Sequence, residues 1–302
     1  MNRRRFVGVL GAGLAGIVVA PPRRLWPQAF VERWSWAMGQ PVHVMLFADS
    51  EQQGLDACAA ALAELRRVES RLSLFEDASD LSELNRHAGR GPMHVDHDLR
   101  AILEWAMAFR RLTAGAFDVA VEPLMRAWGF RDPRRTPPSA VELAAAREAV
   151  ATAEVRIDGS SARLPNAHTQ LDLGGIGVGY GIDRALAVLR ARGIRRAFVD
   201  VSGDCGAIGA PPGETGWLVE IADPNRSKPG TVIATTRLRD AALATSANTQ
   251  TRHVMNPTTG WPAEALRQVS VVAADAVTAD ALSTAMLVSG RRPPGLLWTH
   301  SV

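Results

Sequence analysis

The most unusual segment of the sequence is a glycine-rich turn, residues 172–179, which we call the glycine turn. It begins within the segment Leu171-Asp172-Leu173, has glycine at four of the six positions 174–179, and leads into a helical pattern. Glycine lets the backbone approach a ligand closely, and amide groups at a helix N-terminus favour an anion such as pyrophosphate. The same glycines also suit a tight connection between a strand and a helix, so both interpretations stay open from this segment alone.

A second candidate group lies near the C-terminus, on a segment with a helical pattern. Asp280 and Thr284 are four positions apart, so they share one helix face, and small residues surround them. A carboxylate and a hydroxyl are hard oxygen ligands of the kind that Mg²⁺ accepts beside water and phosphate. The alternative for Asp280 is a favourable interaction with the helix dipole in the first turn.

Two further groups carry side chains suited to acid–base chemistry. His253 precedes the loop 256–260, whose Asn-Pro and Thr-Gly pairs mark a turn, and a histidine there can act as a general base or hold a phosphate. The alternative is a structural histidine at a strand end. Asp118 and Glu122 are spaced as possible paired carboxylates, and capping of the helix that runs towards Trp128 is the alternative for them.

The periodicity of apolar residues predicts the elements that position these groups. It predicts helices at 51–71, 99–112, 140–151, 180–192 and 278–289. It predicts strands at 41–48, 155–157, 169–173, 197–201, 216–221, 231–238 and 268–273. Runs of strands with few regular βα alternations favour an α+β fold over a doubly wound parallel sheet.

Composition and charge exclude several classes of protein. The chain has 302 residues, 47% of them hydrophobic and 22% charged, which is typical of a globular domain and not of a disordered, collagen-like or polytopic membrane protein. Five arginines precede the first acidic residue, Glu32, and without them the net charge of +3 becomes −2. Phosphate-backbone binders need a basic surface, so we do not expect a nucleic acid as a partner.

The N-terminal segment, residues 1–30, is predicted to be an export signal. An Arg-Arg-x-Phe pattern at 3–6 and the short uncharged apolar stretch 7–20 are similar to a twin-arginine signal. The alternative is an uncleaved anchor at the inner membrane, and in both cases the folded domain faces the periplasm. Cys58 and Cys205 have the option of pairing in that oxidising compartment, but two cysteines do not define a disulfide framework.

In their order along the chain, these segments resemble the ApbE family, the FAD:protein FMN transferases, over about residues 36–290. The segments that match the family's motifs are Met38-Gly39, 80–85, 115–124, 128–130, 172–180, 244–246, 253–260 and 279–285. Several ordered matches are more specific than any one motif. The resemblance implies one domain over residues 31–302, with mixed, largely antiparallel sheets, flanking helices and a flavin site between its two halves.

The resemblance also implies the roles of individual residues. The residues implied to contact FAD are Met38, Phe75, Ala116, Phe117, Asp118, Gly174, Tyr180 and Val254. Mg²⁺ is implied to bind the backbone carbonyl of Gly177 and the side chains of Asp280 and Thr284, where it bridges the pyrophosphate and stabilises the AMP leaving group. His253 is the candidate base for a threonine or serine hydroxyl on the acceptor, a redox protein.

Three positions depart from the family's motifs. Val178 replaces the usual lysine of the glycine turn, Asn248 stands where the family usually has an aspartate, and Asn256 replaces the aspartate of the His-Ile-Asp-Pro loop. A cation lost beside a diphosphate weakens binding or transition-state stabilisation unless an arginine substitutes.

Three functions therefore compete: FMN transfer with release of AMP, hydrolysis of FAD to FMN and AMP, and FAD binding with reduced or no transfer. A serine hydrolase built on Ser202 or Ser246 is disfavoured because the strand-turn-helix elbow is missing.

Overall fold

The computed structural model describes residues 17–18, 28–134, 136–224, 230–248 and 252–302. Most of the predicted export signal, residues 1–30, therefore lies outside the described residues. Within it, residues 17–18 form a short strand that pairs antiparallel with the strand at 217–222. None of the described helices is long and apolar enough to cross a membrane.

Helices and strands alternate irregularly along the chain. The helices are α1 (Glu51–Leu72), α2 (Asp80–Arg86), α3 (His97–Leu112), α4 (Glu122–Ala127), α5 (Ala140–Ala151), α6 (Gly177–Ala191) and α7 (Ala276–Ser289), with a 3-10 turn at Val119–Val121. The first strands are β1 (Ile17–Val18), β2 (Ala29–Ala37), β3 (Gln40–Ala48), β4 (Met93–His94), β5 (Arg156–Asp158), β6 (Ser161–Arg163) and β7 (Arg196–Val201). They are followed by β8 (Asp204–Ile208), β9 (Trp217–Ala222), β10 (Val232–Leu238), β11 (Ala242–Ala247), β12 (Gln268–Ala273) and β13 (Trp298–Ser301).

One large sheet organises the fold. Its seven strands follow the order β13-β12-β11-β8-β7-β3-β2, and two three-stranded sheets have the orders β1-β9-β10 and β4-β6-β5. Every pairing between these described strands is antiparallel. The predicted α+β fold, with largely antiparallel sheets and flanking helices, is confirmed.

Both faces of the large sheet are covered, and strand β3 shows how its sequence achieves this. Its even-numbered residues Val42, Val44 and Leu46 pack with α1 and α6, whereas Met45 and Phe47 pack on the other face, against residues of β9 such as Trp217. Side chains alternate between the faces of a strand, so a strand covered on both sides becomes an unbroken apolar run. The helical face of the sheet is the one that carries the glycine turn.

The structure corrects one predicted element. The predicted strand at 169–173 is wrong, since this segment is irregular up to the glycine turn. The side chain of Asn85 takes the place of a neighbouring strand: its Nδ2 donates to the carbonyl of Leu171 at 2.9 Å, and its Oδ1 accepts from the amide of the same residue at 2.8 Å. One buried amide side chain thus fixes the backbone that leads into the glycine turn.

The two cysteines are free and buried. Cys58 on α1 packs into the cluster on the helical side of the large sheet, and Cys205 on β8 packs into the cluster on the opposite side. Because the sheet separates them, no disulfide joins these two thiols.

Candidate active site

The first turn of α6 lies directly against α7. The amide of Gly179 donates to Oδ2 of Asp280 at 2.9 Å. A Cβ added to Gly175 would lie 3.2 Å from Oγ1 of Thr284, and one added to Gly179 would lie 2.2 Å from the carbonyl oxygen of Ala276. Such contacts leave no room for a side chain at position 179. The structure therefore brings the glycine turn and the Asp280–Thr284 face together, although about a hundred residues separate them.

Two carboxylates lie near this junction, the buried Asp280 and the partly buried Asp204. Burial raises the pKa of Asp280 to about 7, and the charge of Asp183 adds to the effect. Asp204, at the start of β8, accepts a hydrogen bond from the amide of Thr245 at 2.9 Å, and burial followed by the charge of Asp280 raises its pKa well above the ordinary value. Between described residues, no ion pair involves Asp204 or Asp280. A nearby cation would favour their ionised forms.

The donor set at this junction fits Mg²⁺. The Asp280 carboxylate bonds to the Gly179 amide and the Thr284 hydroxyl lies next to Gly175, so a carboxylate and a hydroxyl both border the glycine turn; the Ser246 hydroxyl lies 3.2 Å from that of Thr284. Mg²⁺ prefers oxygen ligands, binds through one or two carboxylates, and retains water or substrate phosphate at its other positions. Among the described residues, no group of three or more His, Cys, Asp and Glu side chains is arranged to hold a metal.

The segment 116–118 lies on another side of the glycine turn. A Cβ on Gly175 would be 3.5 Å from the ring of Phe117, which is buried and meets Phe109 edge-on. Oδ1 of Asp118 accepts from the amide of Ala120 at 2.9 Å, so it caps the 3-10 turn, and burial raises its pKa. The alternative from the sequence was a cap on the helix towards Trp128, but Asp118 caps the 3-10 turn that precedes this helix, and α4 itself has no side-chain cap.

Tyr180 and Met38 attach α6 to the rest of the domain. The Tyr180 hydroxyl donates to Oδ1 of Asp98 at 2.6 Å, and burial followed by this hydrogen bond raises the pKa of Tyr180. Arg67 holds the other oxygen of Asp98 at 2.5 Å. Met38 has a positive φ of 57° in the turn between β2 and β3, and its Sδ lies 2.7 Å from the Cβ position of Gly181. Tyr180 therefore fixes α6 against α3, with its hydroxyl turned into the protein.

The loop that carries His253 and Val254 is held by Asn248. The amide nitrogen of Asn248 donates to the carbonyls of Ala263 at 2.7 Å and Val254 at 3.3 Å, and its oxygen accepts from the Val254 amide at 3.2 Å. His253 reaches the surface, yet desolvation by the surrounding protein lowers its pKa, while the charge of Asp172 acts in the opposite direction. A histidine with a lowered pKa is neutral near pH 7 and is able to accept a proton.

The other two departures from the motifs also have structural consequences. Oδ1 of Asn256 accepts from the amides of Thr258 at 2.9 Å and Thr259 at 3.1 Å, which an aspartate at this position would also do. Val178 is partly buried and packs against the apolar cluster formed with α1. Position 178 therefore contributes packing and no charge to the glycine turn.

A family model for the ApbE family matches residues 38–298 of this chain. The chain belongs to the ApbE family. It is 32% identical over 262 residues to the FAD:protein FMN transferase of Treponema pallidum. This alignment covers 76% of this chain and 72% of that protein. It is 29% identical over 239 residues to the FAD:protein FMN transferase of Vibrio cholerae. This second alignment covers 75% of this chain and 71% of that relative.

Solved structures of ApbE proteins share the fold. The ApbE protein of Thermotoga maritima superposes with a TM-score of 0.76 at 29% identity, over 86% of this chain and 87% of that one. The flavin transferase ApbE of Vibrio cholerae superposes with a TM-score of 0.76 at 26% identity, over 87% of each chain. The large antiparallel sheet and its helices are therefore the ApbE architecture.

In this ApbE chain, the residues predicted for the site surround the start of α6. Gly174, whose amide donates to Asp172 at 2.8 Å, and Gly177 belong to the glycine turn itself. Ala116, Phe117, Asp280 and Thr284 lie in the segments packed against this turn, and His253 lies within the electrostatic reach of Asp172. Phe75 is 79% exposed on the loop after α1.

Sequence reasoning missed three residues that position this site. Asn85 fixes the backbone before the glycine turn, Asp204 is the second carboxylate near the junction, and Arg131 bonds to Asp172 at 2.5 Å. Asn85 ends the segment 80–85 that resembles a family motif, so its signal was present but unassigned. Asp204 and Arg131 have no local pattern that marks them, because their partners are distant in sequence.

Proposed function

We propose that this protein is an exported, Mg²⁺-dependent FAD:protein FMN transferase, which moves FMN from FAD to a threonine or serine hydroxyl of an acceptor protein and releases AMP. The observation that carries the proposal is the junction of the glycine turn with α7, where the Gly179 amide meets Asp280 at 2.9 Å. Membership of the ApbE family and the names of its relatives support the same activity.

The residues at the junction would have different roles in the reaction. Asp280, Thr284 and the carbonyl of Gly177 would hold Mg²⁺, which supplies positive charge to a diphosphate and to the leaving phosphate. The N-terminal end of α6, which is the positive end of the helix dipole, favours an anion at the same place. FAD therefore has its diphosphate at the start of α6 in this proposal.

The proton of the acceptor hydroxyl goes to a ring nitrogen of His253. The hydroxyl oxygen forms a bond to the phosphorus of the FMN half, and the bond from that phosphorus to the bridging oxygen breaks, so that AMP leaves. Since desolvation lowers the pKa of His253, the neutral base is the prevailing form near pH 7. Asn248 orients this base through the three hydrogen bonds that hold its loop.

The direct test of the activity uses FAD, Mg²⁺ and a threonine-containing acceptor peptide. Transfer predicts that the peptide gains the mass of FMN less one water, and that the amount of modified peptide equals the amount of AMP released. Release of AMP without modified peptide would establish hydrolysis instead. Intact FAD bound at saturating occupancy would establish a flavin-binding protein without transfer.

The proposal places the domain in the periplasm, with an acceptor that is a redox protein facing the same compartment. The basic residues 3–5 and the apolar stretch 7–20 support export, and retention of this segment would hold the domain at the inner membrane. Replacing Arg3 and Arg4 by lysine, which keeps the charge, should leave the protein in the cytoplasmic fraction. Periplasmic recovery of that variant would contradict the twin-arginine route.

A further inference from the structure

Arg131, in the loop after α4, is held between two carboxylates. Its Nε lies 2.9 Å from Oε2 of Glu122, and its Nη2 lies 2.5 Å from Oδ2 of Asp172. Glu122 is completely buried, and the Arg131 side chain is 15% exposed. An arginine bound by two carboxylates has little rotational freedom, because its planar fork fits both partners at once. The guanidinium therefore has a fixed position beside the glycine turn.

The other contact of Arg131 is an exposed aromatic ring. Its Cζ lies 5.2 Å from the ring centroid of Phe75, within the range of a cation–π interaction. The backbone amide of Phe75 donates to the hydroxyl of Ser73 at 3.1 Å, so the loop is anchored while 79% of the Phe75 residue remains exposed. The guanidinium of Arg131 covers part of the Phe75 ring, and the exposed part of the ring is available for stacking with a planar group.

Asp172 connects this pair to the rest of the site. Its Oδ1 accepts from the amide of Gly174 at 2.8 Å, while its Oδ2 binds Arg131. Gly175, the next residue of the glycine turn, approaches Thr284. A continuous chain of contacts therefore runs from Phe75 through Arg131 and Asp172 to the proposed metal ligands.

The charges around Arg131 indicate whether this residue attracts a diphosphate or supports an aromatic contact. Glu122 and Asp172 carry two negative charges, and Arg131 and Arg126 carry two positive ones, with Arg126 at 2.9 Å from Glu122. Since the charges of this group cancel, it adds little attraction for a diphosphate. A planar ring, in contrast, gains contact with Phe75 whatever the net charge.

We propose that Arg131 is a positioning residue for the flavin end of FAD, and that it orients the Phe75 ring so that the isoalloxazine stacks on it. The inference rests on the proposed function, because it takes FAD as the substrate. In this role Arg131 acts through the Phe75 ring, while its bonds to Glu122 and Asp172 hold the guanidinium in place.

A double-mutant cycle tests this role, with dissociation constants measured by calorimetry for FMN and for ADP. ADP has a diphosphate and no isoalloxazine, whereas FMN has the isoalloxazine and a single phosphate. Arg131→Lys keeps the positive charge between the carboxylates but removes the planar group beside the ring. We expect it to weaken FMN binding about two- to fivefold, the range for a cation–π contact, and to leave ADP binding unchanged.

The second arm of the cycle uses Phe75→Leu, which removes the ring. In this background Arg131→Lys should have no further effect on FMN binding, since the two residues act together. Arg126→Lys is the matched control, because Arg126 also pairs with Glu122, whereas the described cation–π contact with Phe75 belongs to Arg131. It should leave the ratio of FMN to ADP affinity unchanged, whatever its effect on the melting temperature.

Two results would overturn the inference. One is an equal loss of FMN and ADP affinity in Arg131→Lys, which would show a general structural or diphosphate role. The other is the same loss of FMN affinity in the Phe75→Leu background. Failure of the unaltered protein to bind FAD would defeat the proposed function as well, whereas normal FAD binding with an unshifted ratio would defeat only the role of Arg131.

Discussion

Asn248 shows how a residue that departs from a family motif is explained by its contacts. Its amide nitrogen donates to two carbonyls, those of Ala263 and Val254. A carboxylate has no donor for these carbonyls and would place negative charge against them. Asn256 differs, because its side-chain bonds to described residues are both accepted by its oxygen. The two asparagines therefore maintain the loop of His253, and their presence agrees with a working site.

This difference gives a prediction for the two substitutions that would restore the motif aspartates. Asn248→Asp should reduce the free energy of unfolding by about 1–3 kcal/mol, because a buried carbonyl loses its donor, and should not raise activity. Asn256→Asp should be nearly neutral in thermal melting. A gain in FMN transfer by Asn248→Asp, with no loss of stability, would contradict this assignment.

Asp280 should make the metal-free protein less stable as the pH rises. Its pKa is about 7 in the folded state and close to 3.8 in the unfolded chain, so between these values only the folded state holds the proton. Raising the pH through this window therefore lowers the free energy of unfolding, by up to about 1.4 kcal/mol per pH unit. Chemical denaturation at pH 5 and pH 7, without Mg²⁺, measures the slope.

The Asp280→Asn variant is the control for that slope. It should show a smaller loss of stability between pH 5 and pH 7, and Asp183 and Asp200, whose pKa values burial raises to about 6, should supply part of the remainder. An unchanged slope in Asp280→Asn would mean that this carboxyl is ionised across the range. Added Mg²⁺ should stabilise the unaltered protein most at pH 7 and above.

His253 should affect the chemical step and leave FAD binding intact. His253→Gln removes the base, so we expect kcat for FMN transfer to fall by about 10²- to 10⁴-fold while the dissociation constant of FAD stays within about twofold. At saturating Mg²⁺, the rate with His253 should fall only as the pH drops below its lowered pKa. A His253→Gln enzyme of normal rate would exclude the histidine as the base.

At the scale of elements, the helices and strands that are predicted best are those whose apolar residues recur with a clear periodicity. Helix α5 begins and ends where its pattern does, and α1 differs from its predicted end by one residue. Strands β8 and β11 were missed because their short, small residues, such as Gly206 and Ala244, have weak strand propensity and form strands through pairing with neighbours. The segment 169–173 is the opposite case: its sequence resembles a strand, but the Asn85 side chain bonds to its backbone in place of a neighbouring strand.

The contact between α6 and α7 depends on glycine at one position. In Gly179→Ala, the new Cβ would lie 2.2 Å from the carbonyl oxygen of Ala276 and 2.8 Å from Cβ of Asp280, so the helices must separate. We expect a loss of about 1–3 kcal/mol in unfolding free energy, and weaker Mg²⁺-dependent FAD binding. Gly177→Ala is the matched control, because its Cβ has Leu173 at 3.9 Å as its nearest neighbour. Equal stability of the two variants would contradict the close packing.

At the scale of the whole molecule, the proximity of the glycine turn to α7 was predictable, and most of the contacts between them were not. The order of the motifs named the glycine turn and α7 as parts of one site, but no local pattern reports the 2.9 Å contact between Gly179 and Asp280. The same holds for Arg131, whose partners Phe75 and Asp172 are 56 positions before it and 41 positions after it. Periodicity describes single elements, and tertiary contacts arise only when the sheet brings those elements together.

The central claim is that the glycine turn and α7 form one metal-dependent site for FAD, and calorimetric titration of FAD with and without Mg²⁺ tests it most directly. The protein should bind FAD tightly only with Mg²⁺, and Asp280→Asn should abolish that dependence. Asp275→Asn, which alters a carboxylate of the same helix yet keeps its N-cap, should behave like the unaltered protein. FAD binding that is indifferent to Mg²⁺, or that survives Asp280→Asn unchanged, would contradict the claim.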